Sequence, residues 1–188
     1  MELHEPHFFG DEIKNIKKAI DKNEIAIGSY TKLFEKKISN YLNSKYVLAT
    51  NSGTSSLHIA LKLSGVKENT EVLISTITFI APVNAILYNN ASPIFMDTDE
   101  YFNINVNKTV EFIKKETYYK NGYTYNKITK KKIVSIIIVH VFGNPANIFD
   151  LYKICKKRNI KIIEDCAESL GSSYKNKINS HTGTIGDF

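Results

Sequence analysis

Cysteine is nearly absent: Cys155 and Cys166 are the only two in 188 residues. Two thiols build no disulfide framework, and these two lack metal-ligand spacing. Disulfide scaffolds and zinc modules are therefore excluded, and no metal is expected. Long apolar runs are missing too. The most apolar stretch, Ile133–Phe142, is far too short to span a bilayer as a helix. The opening residues, MELHEPHFFGDE, are acidic and lack the apolar core of an export signal. The protein is expected to be soluble and cytoplasmic, with no membrane partner. There is no internal repeat, no Walker motif and no GxGxxG fingerprint.

The composition is that of an ordinary globular chain, with 43% hydrophobic residues and enough length for a proper core. A net charge of +6 comes from 25 basic against 19 acidic residues, part of it in the segment Lys114–Lys132. The lysines are scattered and no base-reading motif accompanies them, so they read as solvated surface and no nucleic acid is expected.

Helices are expected over Gly10–Asn23 and Tyr30–Leu42, the second with Leu33, Phe34, Ile38, Tyr41 and Leu42 on one face. Strands and helices then alternate. Strands are expected at Tyr46–Thr50, Glu71–Ser75, Pro93–Asp97, Ile133–Val141 and Ile160–Asp165. Helices are expected at Thr54–Leu63, Ile80–Asn89, Val106–Lys115 and Ile148–Arg158. The stretch KKETYYKNGYTYNKITKKK is expected to form a loop or hairpin. Continuous Val/Ile/Leu strands alternating with amphipathic helices indicate a three-layer α/β/α fold whose mostly parallel sheet is covered on both faces. An N-terminal helical segment, residues 1–45, precedes this domain of residues 46–188.

Such folds bind ligands at the carboxyl ends of their strands, and the informative residues fall there. Asn51-Ser52-Gly53-Thr54-Ser55 joins a strand end to a helix start. Gly53 lets the backbone turn without a Cβ clash, free N–H groups face the positive helix end, and Thr54 and Ser55 add hydroxyls. Alone, this reads more readily as an ordinary helix cap. Asp165 ends an apolar strand, where a carboxylate must be solvated, paired or in use. Phe79 follows another strand end and, alone, suits a core better than a ligand platform. Together, a phosphate cup, an aromatic and a carboxylate are what a flat phosphorylated pyridine needs. The cup holds phosphate, the ring lies on the aromatic, and the carboxylate keeps the pyridine nitrogen protonated. The ligand so described is pyridoxal 5'-phosphate (PLP).

The chain resembles the DegT/DnrJ/StrS nucleotide-sugar aminotransferases, a branch of the fold-type I PLP enzymes. The resemblance runs through Gly28-Ser29-Tyr30, Phe34-Glu35, Asn51–His58, Thr78-Phe79-Ile80-Ala81, Asp97-Thr98-Asp99, His140–Ala146 and Glu164–Gly171. It implies that Gly53, Thr54 and Ser55 hold the cofactor phosphate, that Phe79 stacks on the ring, and that Asp165 binds the ring nitrogen. Glu168 would lie near the cofactor's 3-oxygen, as in a subgroup acting on UDP-linked 2-acetamido-4-keto sugars. His58 and His140 are expected in the core or behind the site. The family pattern further implies a homodimer, glutamate as amino donor and a nucleotide-linked keto sugar as acceptor.

The same resemblance places the Schiff-base lysine, or the His that replaces it in dehydrating relatives, just beyond Phe188, with a smaller domain after it. The large domain is thus expected to be truncated, with no catalytic lysine among these residues, no turnover by this polypeptide alone and an open sheet edge. The alternative is a non-catalytic fragment or split-enzyme half that binds PLP weakly or pairs with another chain.

Overall fold

The computed structural model describes residues 7–24, 26, 28–174 and 180–188. The acidic start of the chain, residues 1–6, lies outside them. The chain divides into a unit of residues 1–49 and a larger unit of residues 50–188.

The smaller unit carries α1 (Glu12–Asp21) and α2 (Ser29–Leu42), neither with a buried residue. The Glu24 carboxylate accepts the N–H and hydroxyl of Ser29 at the start of α2, at 2.8 and 2.7 Å. Asn43, left-handed at φ 50°, closes that helix. Further on, Glu35 Oε1 accepts the Ala49 N–H at 2.9 Å.

In the larger unit the alternating pattern becomes α3 (Gly53–Leu63), β1 (Thr70–Ser75), α4 (Ile80–Tyr88), β2 (Ser92–Met96) and α5 (Val106–Lys115). A hairpin of β3 (Thr117–Lys120) and β4 (Tyr123–Asn126) follows, then β5 (Lys132–Val139), α6 (Phe149–Arg158) and β6 (Lys161–Asp165). Strands β2, β1, β5 and β6 lie side by side and all parallel. The hairpin joins antiparallel at the start of β5, on the edge that β6 occupies further along. Its turn, Asn121-Gly122, has positive φ at both residues, which suits a two-residue connection.

Alternation along the strands builds one core on each face. Val72, Ile74, Ile137, Val139 and Ile163 pack with Leu57 and Leu61 of α3 and Ala85 and Ile86 of α4. Leu73, Ile136, Ile138 and Ile162 pack with Ile113 of α5 and Leu151 and Cys155 of α6. Between Glu71 and Val72 the partner on β5 steps from Ile133 to Ser135, so Val134 is an extra residue. That bulge resets the alternation, and Ile133 and Ile136, three apart, share one core.

Two expectations change. The stretch Tyr46–Thr50 forms no strand, because no described strand pairs with it, and extended backbone without a ladder is not a strand. The outer edge of β6 is not open along its length. The Asp187 N–H donates to the Ile162 carbonyl at 2.7 Å, and the Glu164 N–H donates to the Phe188 carbonyl at 3.0 Å. Among the described residues, no helix is long and apolar enough to cross a membrane.

Candidate active site

The helix start at α3 comes first. Ser52 caps it, its Oγ accepting the Ser55 N–H at 3.2 Å. The N–H groups of Gly53 and Thr54 have no partner among the described residues, and both residues line a cavity of about 520 Å³. Ser55 stands off that lining, with its N–H committed to the cap and its hydroxyl accepting from Ser52 at 3.0 Å. Gly53 is not there to relieve the turn. Its φ is not positive, and a Cβ added to it would meet nothing within 4 Å. What the glycine provides is room beside two unspent N–H groups at the positive end of a helix, as an oxyanion requires.

Phe79, the residue before α4, lines the same cavity and is 76% exposed. The core reading of Phe79 is thereby set aside. Pro82, in the first turn of α4, also lines the cavity, and its missing N–H costs that turn nothing.

Asp165 ends β6 beside Val139 of β5, and both reach the cavity. Burial pushes the Asp165 carboxyl above the usual aspartate range, and the neighbouring Glu168 charge adds to this. The Ala167 N–H, 3.1 Å from Oδ1, and His140 oppose the rise without cancelling it. A carboxylate raised by burial and given one short hydrogen bond is complementary to a cation such as a protonated ring nitrogen. Gly53, Thr54, Phe79, Asp165 and Glu168 thus meet in one cavity, and among the described residues no lysine lines it.

Glu168 is committed to backbone. Its Oε2 accepts the Phe142 N–H at 2.6 Å and holds Phe142 at φ 54°, a left-handed conformation uncommon for a bulky residue. Gly143 follows at φ 78°, and a Cβ there would come within 3.1 Å of the Glu168 carbonyl.

Behind the cavity lies a network that the sequence reading did not identify. Glu164, next to Asp165, points to the opposite side of β6 and is buried with His140 and Tyr174. Its Oε2 accepts from His140 Nε2 at 3.0 Å, the Tyr174 hydroxyl at 2.7 Å and the Gly183 N–H at 3.0 Å. Its Oε1 accepts the N–H groups of Ile185 at 2.8 Å and Gly186 at 2.6 Å. Burial pushes this carboxyl upward, but the hydrogen bonds from His140, Gly186, Tyr174 and Gly183 outweigh it and hold it at about 2. The sequence signal was there: a glutamate inside an apolar strand needs donors.

His140, Glu164 and Cys166 bring possible ligand atoms within 4.8 Å of one another. Both His140 nitrogens and both Glu164 oxygens already hold hydrogen bonds, and His140 Nδ1 accepts the Ala146 N–H at 3.1 Å. Burial pushes the Cys166 thiol up to about 11 and the Cys155 thiol up to about 12, far from the thiolate a metal or nucleophilic role needs. His140 belongs to the buried framework, and His58 packs edge-to-face on Tyr88 with centroids 6.1 Å apart.

Residues 8–188 match the profile of the DegT/DnrJ/EryC1/StrS aminotransferase family. The GDP-perosamine synthase of Escherichia coli O157:H7 is 33% identical over 186 residues, covering 98% of this chain and 46% of that protein. The dTDP-3-amino-3,6-dideoxy-alpha-D-galactopyranose transaminase of Aneurinibacillus thermoaerophilus is 30% identical over 155 residues, covering 82% of this chain and 38% of that protein. Among solved structures, the aminotransferase from Psychrobacter cryohalolentis superposes with a TM-score of 0.79 at 27% identity, covering 96% of this chain and 42% of that one. The fold is the α/β arrangement of fold-type I PLP-dependent aminotransferases. The chain spans less than half the length of these relatives.

Proposed function

The chain belongs to the DegT/DnrJ/EryC1/StrS aminotransferase family, and from that premise we propose that residues 50–188 hold PLP for amino transfer to a nucleotide-linked keto sugar. One observation carries the reading: two unspent helix N–H groups, an exposed aromatic and a burial-raised carboxylate line a single cavity. These are the separate requirements of a phosphate, a flat ring and a protonated nitrogen.

Each residue has its own task. Gly53 and Thr54 would take the phosphate, with Ser55 behind them shaping the turn through its bond to Ser52. Phe79 would cover one ring face and exclude water from it. Asp165 would hold a proton on the ring nitrogen, and a cation there returns its carboxylate to the ionised form that burial disfavours. Glu168 would present its second carboxylate oxygen near the cofactor's 3-oxygen. When bound, the cofactor supplies an electron sink for the bond that breaks at the amine-bearing carbon. Among the described residues no lysine lines the cavity, so none of them supplies the amine that anchors the cofactor and shuttles the proton. The amino donor proposed is glutamate, the working form a cytoplasmic homodimer, and the product an amino sugar.

Titration calorimetry with pyridoxamine phosphate tests the binding step without requiring turnover. One saturable site, competed by inorganic phosphate, is expected. Failure to find saturable binding would remove the proposal.

A further inference from the structure

Two aromatic residues, Phe142 in the cavity lining and Phe102 against it, have strained backbones and no core to fill. Phe102 sits at φ 65° and Phe142 at φ 54°. Their rings meet edge-to-face, with centroids 6.0 Å apart and planes at 84°. They are 49% and 69% exposed. A left-handed backbone is costly for a large side chain and persists only where surrounding bonds over-determine it.

Those bonds are present. Asp99 Oδ1 accepts the N–H groups of Tyr101 and Asn103 at 2.9 and 3.0 Å, and its carbonyl accepts the Phe102 N–H at 3.2 Å. Asn103 is buried and stitches this turn to the other. Its Oδ1 accepts the Val141 N–H at 3.0 Å, and its Nδ2 donates to the Asn144 carbonyl at 3.2 Å. Glu168 then fixes the Phe142 N–H from the opposite side. One asparagine and two carboxylates therefore hold an exposed ring pair in place.

We infer that Phe142, braced by Phe102, is the platform on which the sugar ring of the substrate lies, with Glu168 accepting a sugar hydroxyl. The inference rests on the proposed function and adds which part of the substrate sits where. Phe142 and Glu168 line the cavity with Asp165, whereas Phe102 stays outside the lining. A group resting on Phe142 thus borders the cofactor space, and the carbon to be aminated, which must border it too, belongs to the sugar. A sugar has one apolar C–H face for an aromatic ring and hydroxyls at its rim for a carboxylate. A diphosphate is repelled by Glu168, so the nucleotide points away from it.

Saturation-transfer difference NMR on the 188-residue protein, with GDP-mannose and UDP-N-acetylglucosamine as probes and GDP and UDP as controls, separates the parts of the ligand. Sugar-ring protons are expected to carry the strongest saturation. F142A is expected to abolish it and to weaken the nucleotide sugar about fivefold, with F142Y restoring both. Stronger saturation of the base protons, or unchanged binding in F142A, overturns the platform. Should F142A fail to fold, the wild-type proton map and the F142Y–F142L comparison decide by the same criterion. Pyridoxamine phosphate binding is measured separately. Cofactor binding without sugar saturation sinks the platform and leaves the function reading standing. Sugar saturation without cofactor binding does the reverse, and absence of both overturns the platform as well.

Discussion

His140 Nε2 donates to Glu164 Oε2 at 3.0 Å with both side chains wholly buried. The Ala146 N–H points at Nδ1, so that nitrogen is the acceptor and the ring proton lies on Nε2, facing the carboxylate. With the Tyr174 hydroxyl and three backbone N–H groups, Glu164 gathers five donors from three parts of the chain. It ties the end of β5 and the segment Gly183–Gly186 to β6, directly behind the residue proposed to bind the cofactor nitrogen.

Replacing Glu164 should therefore destabilise the fold well beyond the loss of one side chain. E164A strands the His140 and Tyr174 donors, and a cost of about 3–5 kcal/mol is expected. Thermal melting should show it as a fall in Tm of roughly 10 °C. The pH dependence has a definite sign. Glu164 titrates at about 2 in the folded chain against an ordinary value of 4.5. Its contribution is complete above 4.5 and is lost as pH falls towards 2. Denaturation between pH 5 and 2 should be shallower in E164Q, and an unchanged profile would count against the network.

Asp165 has the opposite sign. Its folded value is raised by burial, so its ionisation at neutral pH opposes folding. D165N is expected to be more stable than the parent at pH 7 without ligand. The gain should vanish as pH falls through the raised value and below the unfolded aspartate range. The same change should weaken pyridoxamine phosphate about tenfold or more, because a charge-assisted hydrogen bond is lost. Melting curves and calorimetry on one pair of proteins check both halves.

Much of this layout was legible in the sequence because buried parallel strands write themselves as apolar runs. The segment Val106–Lys115 is α5 residue for residue, and the strands around Leu73, Ile94, Ile136 and Ile162 shift by two residues at most. The failed strand at Tyr46–Thr50 has the right composition, but strand formation depends on a partner that composition does not display. The positions of Phe79 and Asp165 near strand ends were readable from order alone, and Gly53 was placed correctly at a helix start although no strand precedes it. The Asn103 stitch and the Glu164 network were not, since each joins residues ten or more apart through side chains that a linear pattern leaves unrelated. Gly53 is instructive in another way: the residue was identified, but its reason was space rather than backbone freedom.

Asn103 offers a test of the loop pair. N103A leaves the Val141 N–H and the Asn144 carbonyl without their side-chain partner. A loss of about 1–3 kcal/mol is expected. Hydrogen exchange should accelerate at Val141 and Phe142 while β1 and β5 stay protected. Uniform acceleration would mean that Asn103 supports the whole domain rather than this turn.

The polypeptide of residues 1–188 is expected to show no steady-state transamination with glutamate and a keto-sugar nucleotide. Its cavity is lined by Gly53, Thr54, Phe79 and Asp165, and among the described residues no lysine lines it. Without an amine there, proton transfer at the amine-bearing carbon lacks its general acid–base, a contribution of about 10²–10⁴-fold in rate. Adding a primary amine such as methylamine should restore a trace of exchange if the missing group is the only deficit. Steady turnover by the unmodified polypeptide would mean that an amine within it reaches the cavity.

Gly53 separates ligand space from fold. It is the first residue of α3, its φ is not positive, and beyond its chain neighbours and the backbone of its own helix no described atom lies within 4 Å of an added Cβ. For the fold alone, G53A is benign: it removes unfolded-chain freedom and should gain up to about 1 kcal/mol. If the open space is where a phosphate sits, the new methyl group stands beside the unspent N–H groups of Gly53 and Thr54 and keeps the anion from approaching them. A protein that melts higher yet binds pyridoxamine phosphate more weakly is therefore expected. A purely structural glycine predicts that stability falls, and a glycine away from the ligand predicts unchanged affinity. Either outcome would move the phosphate to another part of the cavity.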